Sequence, residues 1–180
     1  MSMWKKLLLV LVCGTVCCGL SASPWISFGP KRRPVTLVVT ANYLSSRLLA
    51  DTIHTESGQP YLLLPPVNSP DERVFVCMRD KTLRITDQDI NQFINNLGVR
   101  RIVVLGDATF VPQKYIDMLD HNTPVIRIEG KDWYRIAEEV NYMLNLNNVA
   151  SNYKKLREQL VTDGRLLKPM SNQPAAAPAQ

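Results

Sequence analysis

Short apolar runs rich in β-branched residues alternate along this chain with longer stretches whose apolar positions recur every three or four residues. "VTLVVT" (35–40) and "PYLLLP" (60–65) have the continuous apolar character of strands buried on both faces. Between them, Leu44, Leu48, Leu49 and Ile53 stand near helical spacing over 43–57, and Gly58 supplies a C-cap. After the loop "VNSPDE" (67–72), "RVFVCMR" (73–79) reads as a strand, with "DKTLRI" returning beside it as a hairpin or edge. Thr86 opens a helix with Ile90, Phe93, Ile94 and Leu97 on one face, and Thr86 with Asp89 forms a capping-box pattern. Gly98 closes that helix. "RRIVVLG" is a third buried strand, 112–119 a short helix with Pro112 in its first position, and "PVIRIEG" a further strand. Asp132 begins the most regular helix, through Trp133, Ile136, Ala137, Val140 and Leu144. A last amphipathic helix covers 149–161 through Val149, Tyr153, Leu156 and Leu160.

Strands that alternate with helices predict a single three-layer α/β domain, with a mainly parallel sheet and helices on both faces, plus a C-terminal helix. The expected division is a signal peptide (1–23), a linker with three prolines (24–34), the domain (35–146), the C-terminal helix (147–168) and a disordered Pro/Ala-rich tail (169–180). Ligands of such sheets bind beyond the carboxyl ends of the strands. That rule selects the loops at Ala41-Asn42, Pro65-Pro66, Gly106–Thr109 and Gly130–Asp132.

Composition changes the picture mainly at the N-terminus. Hydrophobic residues make up 46% and charged residues 21%, ordinary values for a globular chain. Lys5 and Lys6, the apolar run Leu7–Leu20 and the small residues Ser21-Ala22-Ser23 form the three regions of a secretory signal. The apolar run is shorter than the roughly 20 residues of a spanning helix, so the membrane is a partner only before cleavage. Cys13, Cys17 and Cys18 lie in this segment, and none follows the small residue that lipid attachment favours. Only Cys77 then remains, as a buried hydrophobe in an apolar run. The formal charge of +5 falls to +5 − 2 = +3 without Lys5 and Lys6, a mild bias that does not by itself make nucleic acid a partner.

Candidate chemistry is sparse. No glycine-rich phosphate loop, nucleophile elbow or zinc-protease motif occurs, and no Cys/His cluster has metal-ligand spacing. His54 falls within a helix and His121 in a turn, away from the strand-end loops. Asp107 and Asp132 have two kinds of reading: a carboxylate pair for acid–base work or for a hydrated divalent ion, or a turn residue and a helix N-cap. Trp133 falls on the buried stripe, whereas Tyr134, beside Asp132, points elsewhere and suits docking of a sugar ring.

"LGVRRIVVLGDATFVPQKYIDML" followed by "PVIRIEGKDWYRIAEEV" resembles the second half of a cell wall binding type 2 repeat. The specific part is Arg127, Ile128, Gly130, Asp132 and Tyr134, and the resemblance spans about residues 35–145. Trp133 stands where that family usually has arginine, Asp107 where it often has a second glycine, and 66–85 resembles an insertion. The resemblance implies an exported, non-catalytic protein of the cell envelope, secreted or periplasmic, attached noncovalently to an anionic glycopolymer or polysaccharide. The expected ligand contacts are Asn42, Asp107, Thr109, Lys131, Asp132 and Tyr134, with no cofactor, metal or catalytic residue. Two other readings stand beside it: an envelope assembly protein making protein contacts only, and a hydrolase or transferase using Asp107 and Asp132. Because related proteins often carry three modules, a single copy is expected to form a homo-oligomer, with a three-fold ring favoured. The stripe of Val149, Tyr153, Leu156 and Leu160 on the last helix is its candidate surface unless that stripe packs on its own domain.

Overall fold

A computed structural model of the chain describes residues 35–165 apart from 71, 80, 120 and 121. The expected signal peptide, linker and tail, and His121, lie outside the described residues. Six strands form one sheet: β1 (Thr36–Ala41), β2 (Tyr61–Leu64), β3 (Val74–Met78), β4 (Lys81–Ile85), β5 (Arg101–Leu105) and β6 (Val125–Ile128). Their order is β4-β3-β2-β1-β5-β6. The strands β2, β1, β5 and β6 are parallel, and β3–β4 is an antiparallel hairpin extending the β2 side. Every residue of β1 and β2 is buried, as their uninterrupted apolar sequences require.

Five α-helices complete the domain: α1 (Leu44–Ser57), α2 (Ile90–Leu97), α3 (Gln113–Asp117), α4 (Trp133–Leu144) and α5 (Val149–Thr162). The β1→β2 and β5→β6 connections run in opposite directions across the sheet, and the right-handed crossover rule assigns α1 to one face and α2 and α3 to the other. The α/β layering expected from the sequence is therefore present. Gly58 and Gly98 close α1 and α2 in the left-handed conformation, as their places after the apolar stripes imply. Ahead of α2, the Thr86–Asp89 capping box begins a single 3₁₀ turn, Asp87–Asp89. Pro112 is the N-cap of α3 rather than its first residue, since its ψ of 134° is extended. Proline suits either place because neither needs its missing N–H.

The last helix belongs to the same core. α5 packs against α1 and α4, and buries Val149, Ala150 and Tyr153. Leu156, by contrast, is 38% exposed. Only the first half of the predicted stripe is therefore core. Glu56 ties this arrangement together: its Oε1 accepts hydrogen bonds from the Asn147 and Asn148 amides, at 2.8 and 2.9 Å, from the far end of α1.

Candidate functional site

The connections leave β1 and β5 toward opposite edges of the sheet, so the crevice rule narrows to the carboxyl ends of these two neighbours. Asn42 and the Gly106–Thr109 loop stand there, with Gly130–Asp132 following β6 on the β5 side. Thr40 Oγ1 donates to the Leu105 carbonyl at 3.0 Å and joins the two strand ends.

An aromatic chain underlies these loops. Tyr43 meets Phe110 edge-on with ring centres 5.4 Å apart, and Phe110 meets Trp133 edge-on at 5.1 Å. The rings stand at the N-cap of α1, in the loop after β5 and at the first residue of α4, so they tie together the three segments that follow β1, β5 and β6. Gly106 is part of the same packing. Its φ is +101°, and an added Cβ would lie 3.2 Å from both Phe110 Cβ and Trp133 Cη2. A side chain there would meet both backbone strain and a crowded aromatic wall. Trp133 is core, as its place on the α4 stripe predicts, and Tyr134 stands 37% exposed beside it.

Both candidate carboxylates are occupied locally. Asp132 Oδ1 accepts from the Tyr134 amide at 2.9 Å and the Arg135 amide at 3.4 Å, so Asp132 is the N-cap of α4. Asp107 Oδ1 accepts from the Thr109 amide at 2.9 Å and from the Thr109 hydroxyl, which shapes the loop after β5. Desolvation alone would raise the Asp107 carboxyl. Its two bonds from Thr109 and the nearby charges of Lys131 and Arg127 outweigh that, holding it below the usual aspartate value. A carboxyl held ionised in this way is a poor proton donor at neutral pH.

The structure thus brings Asp107, Thr109 and Lys131 into one group and places Asp132 and Tyr134 at the start of α4. Asn42 is joined to them through the aromatic chain; its amide donates to the Leu64 carbonyl at 2.8 Å, and its buried Oδ1 accepts no hydrogen bond. Among the described residues, no group of three or more His, Cys, Asp or Glu could hold a metal ion.

Sequence reasoning missed Phe110, Arg127 and Tyr153 as parts of this region. Phe110 lies in a turn with no periodicity to mark it. Arg127 carried only a motif match, and its approach to Asp107 depends on the pairing of β6 with β5. The Tyr153 hydroxyl is buried near Ser45 and within electrostatic reach of Asp132 and Arg157. Burial first, and Asp132 after it, push its pKa up to about 12, while Arg157 and Ser45 act in the opposite direction.

Comparisons with protein families, with curated proteins and with solved structures find nothing that matches this chain.

Proposed function

We propose that this chain is an exported, non-catalytic binding protein of the cell envelope, and that it attaches to an anionic glycopolymer or polysaccharide through the loops after β1, β5 and β6. The observation that carries this reading is the division of labour at the rim. Asp107 and Asp132 are held by their own loops, and Lys131 and Tyr134 remain exposed beside them. An ammonium suits an anionic substituent, and a tyrosine face suits a sugar ring. The α/β architecture and the Arg-Ile-x-Gly-x-Asp-x-Tyr segment support the likeness to cell wall binding modules.

Titration of the protein with purified wall polymer, followed by calorimetry, tests the proposal. Affinity is expected to fall as salt rises from low to physiological strength. Lys131→Glu is expected to weaken binding about tenfold, one charge contact of about 1.4 kcal/mol, with little change in melting temperature. Unaltered binding in that variant removes the loop from the site. Metal-dependent turnover abolished by Asp107→Asn would instead establish the hydrolase reading. The assembly-protein reading has its own support in the edge strand β6, whose apolar Val125 and Ile126 are exposed.

A further inference from the structure

The imidazole of His54 meets two backbone carbonyls. Its Nδ1 lies 2.6 Å from the Gln59 oxygen and its Nε2 lies 3.0 Å from the Arg79 oxygen. A carbonyl oxygen only accepts, so each contact is a hydrogen bond only when that ring nitrogen carries a proton. A neutral imidazole has one N–H and makes one of the two bonds, whereas the imidazolium has two and makes both. The place in the fold favours the cation as well. His54 stands in the last turn of α1, where the carbonyls of the helix end create a negative potential.

The second carbonyl belongs to a strained turn. Met78 and Lys81 are the last pair of the β3–β4 ladder, so two residues make the reversal. Arg79 is the first of them and has a φ of +49°, a left-handed conformation that such tight turns usually give to glycine or asparagine. A residue with a side chain keeps that conformation only where its surroundings hold it there. The strand that follows, β4, is mostly exposed and pairs with β3 alone among the described strands.

We infer that His54 is a pH-dependent latch, whose imidazolium fastens the β3–β4 turn to the end of α1 and whose neutral form releases it. The direction follows from the number of donors. In acid both bonds are present, and as pH rises through the range of about 5 to 8, in which histidine loses its charge, one is lost. The neutral ring keeps Nδ1–H on Gln59, the shorter bond and the one closer in sequence, and gives up the bond to Arg79. On the β2 side, Tyr61 meets the ring edge-on with centres 5.7 Å apart and donates its hydroxyl to Asp51, which Arg47 approaches to 3.8 Å. Burial first, and then the bonds to Asp51 and to Cys77 of β3, raise the Tyr61 pKa, so Tyr61 keeps its proton throughout this range. The hairpin contributes Arg79 and Lys81, exposed cations whose repulsion is screened by water and salt, while Asp80 lies outside the described residues. Pairing of Tyr61 with Cys77 sets the turn at the amino end of β2, the opposite end of the sheet from the proposed ligand loops, so the latch does not depend on that reading.

Two measurements test it. Ring-nitrogen NMR is expected to show both nitrogens of His54 protonated at about pH 5, and Nε2 without its proton at about pH 8. Amide exchange, corrected for the intrinsic effect of pH, is expected to show β4 about tenfold less protected at the higher pH, the size of one hydrogen bond from a charged donor, with β1 and β5 unchanged. His54→Gln, shown to be folded by its protection in β1 and β5, is expected to abolish the pH dependence of β4. His121→Gln, which changes the other histidine of the chain, is expected to preserve it. The wild-type measurements decide alone if His54→Gln does not fold. Equal protection of β4 at both pH values overturns the proposal. So does a neutral ring with its proton on Nε2, or a pH dependence that survives His54→Gln or vanishes in His121→Gln.

Discussion

At the scale of single residues, the region is governed by groups whose surroundings leave them little freedom. Gly106 combines a positive φ with aromatic walls on two sides. Gly106→Ala is therefore expected to destabilise the fold by about 1–3 kcal/mol. Displacement of Trp133 should appear as an altered tryptophan emission, and an unchanged spectrum and melting temperature would contradict the packing described. Tyr153 gives a pH-dependent counterpart. Its folded pKa, about 12, is above the ordinary value of 10.0, so its neutral form is favoured by folding. Stability linked to it is fully present below pH 10 and declines as pH rises toward 12. Tyr61, raised by burial and by its bonds to Asp51 and Cys77, acts in the same direction. Tyr153→Phe is expected to lessen the alkaline loss without abolishing it, as read from melting temperatures at neutral and high pH. At neutral pH it should be nearly neutral, because the hydroxyl makes no well-formed hydrogen bond.

At the scale of elements, the most consequential finding is that α5 completes the face begun by α1 and α4. The periodicity of Val149, Tyr153, Leu156 and Leu160 predicts an amphipathic helix, and one is there. Periodicity states that a face is apolar and does not state what covers it. Tyr153 meets the domain and Leu156 meets solvent, a division that depends on the Glu56 contact with the turn between α4 and α5. Glu56→Ala should leave two amides without their carboxylate acceptor, at a cost of about 1–3 kcal/mol. Hydrogen exchange would report it as faster exchange at the start of α5 than in α1. Equal acceleration in both helices would argue for global loosening instead.

For the whole molecule, the N-terminal pattern predicts export and processing. Mass spectrometry of the native protein is expected to find an N-terminus between Ala22 and Trp25. An intact Met1 would make the segment an anchor. Among the described residues, no helix is long and apolar enough to cross a membrane.

Much of the fold was legible in the order of residues because the signals are local. Apolar runs between glycines and prolines marked the strands, three- and four-residue spacings marked the helices, and Gly58, Gly98 and the Thr86–Asp89 box marked their ends. Asp132 as an N-cap and Trp133 as core were likewise legible, since both follow from position within a single helix. Strand order was not, because pairing joins residues distant in the chain and similar apolar runs can neighbour one another in several orders. Only the tertiary structure set β1 beside β5, and so made the Asn42 and Gly106 loops neighbours at the crevice. It also brought Arg127 and Lys131 to Asp107, and left Val125 and Ile126 at an open edge although their sequence resembles that of a buried strand. Local pattern determines which elements form; which of their groups meet, and which remain exposed, depends on contacts between distant parts of the chain.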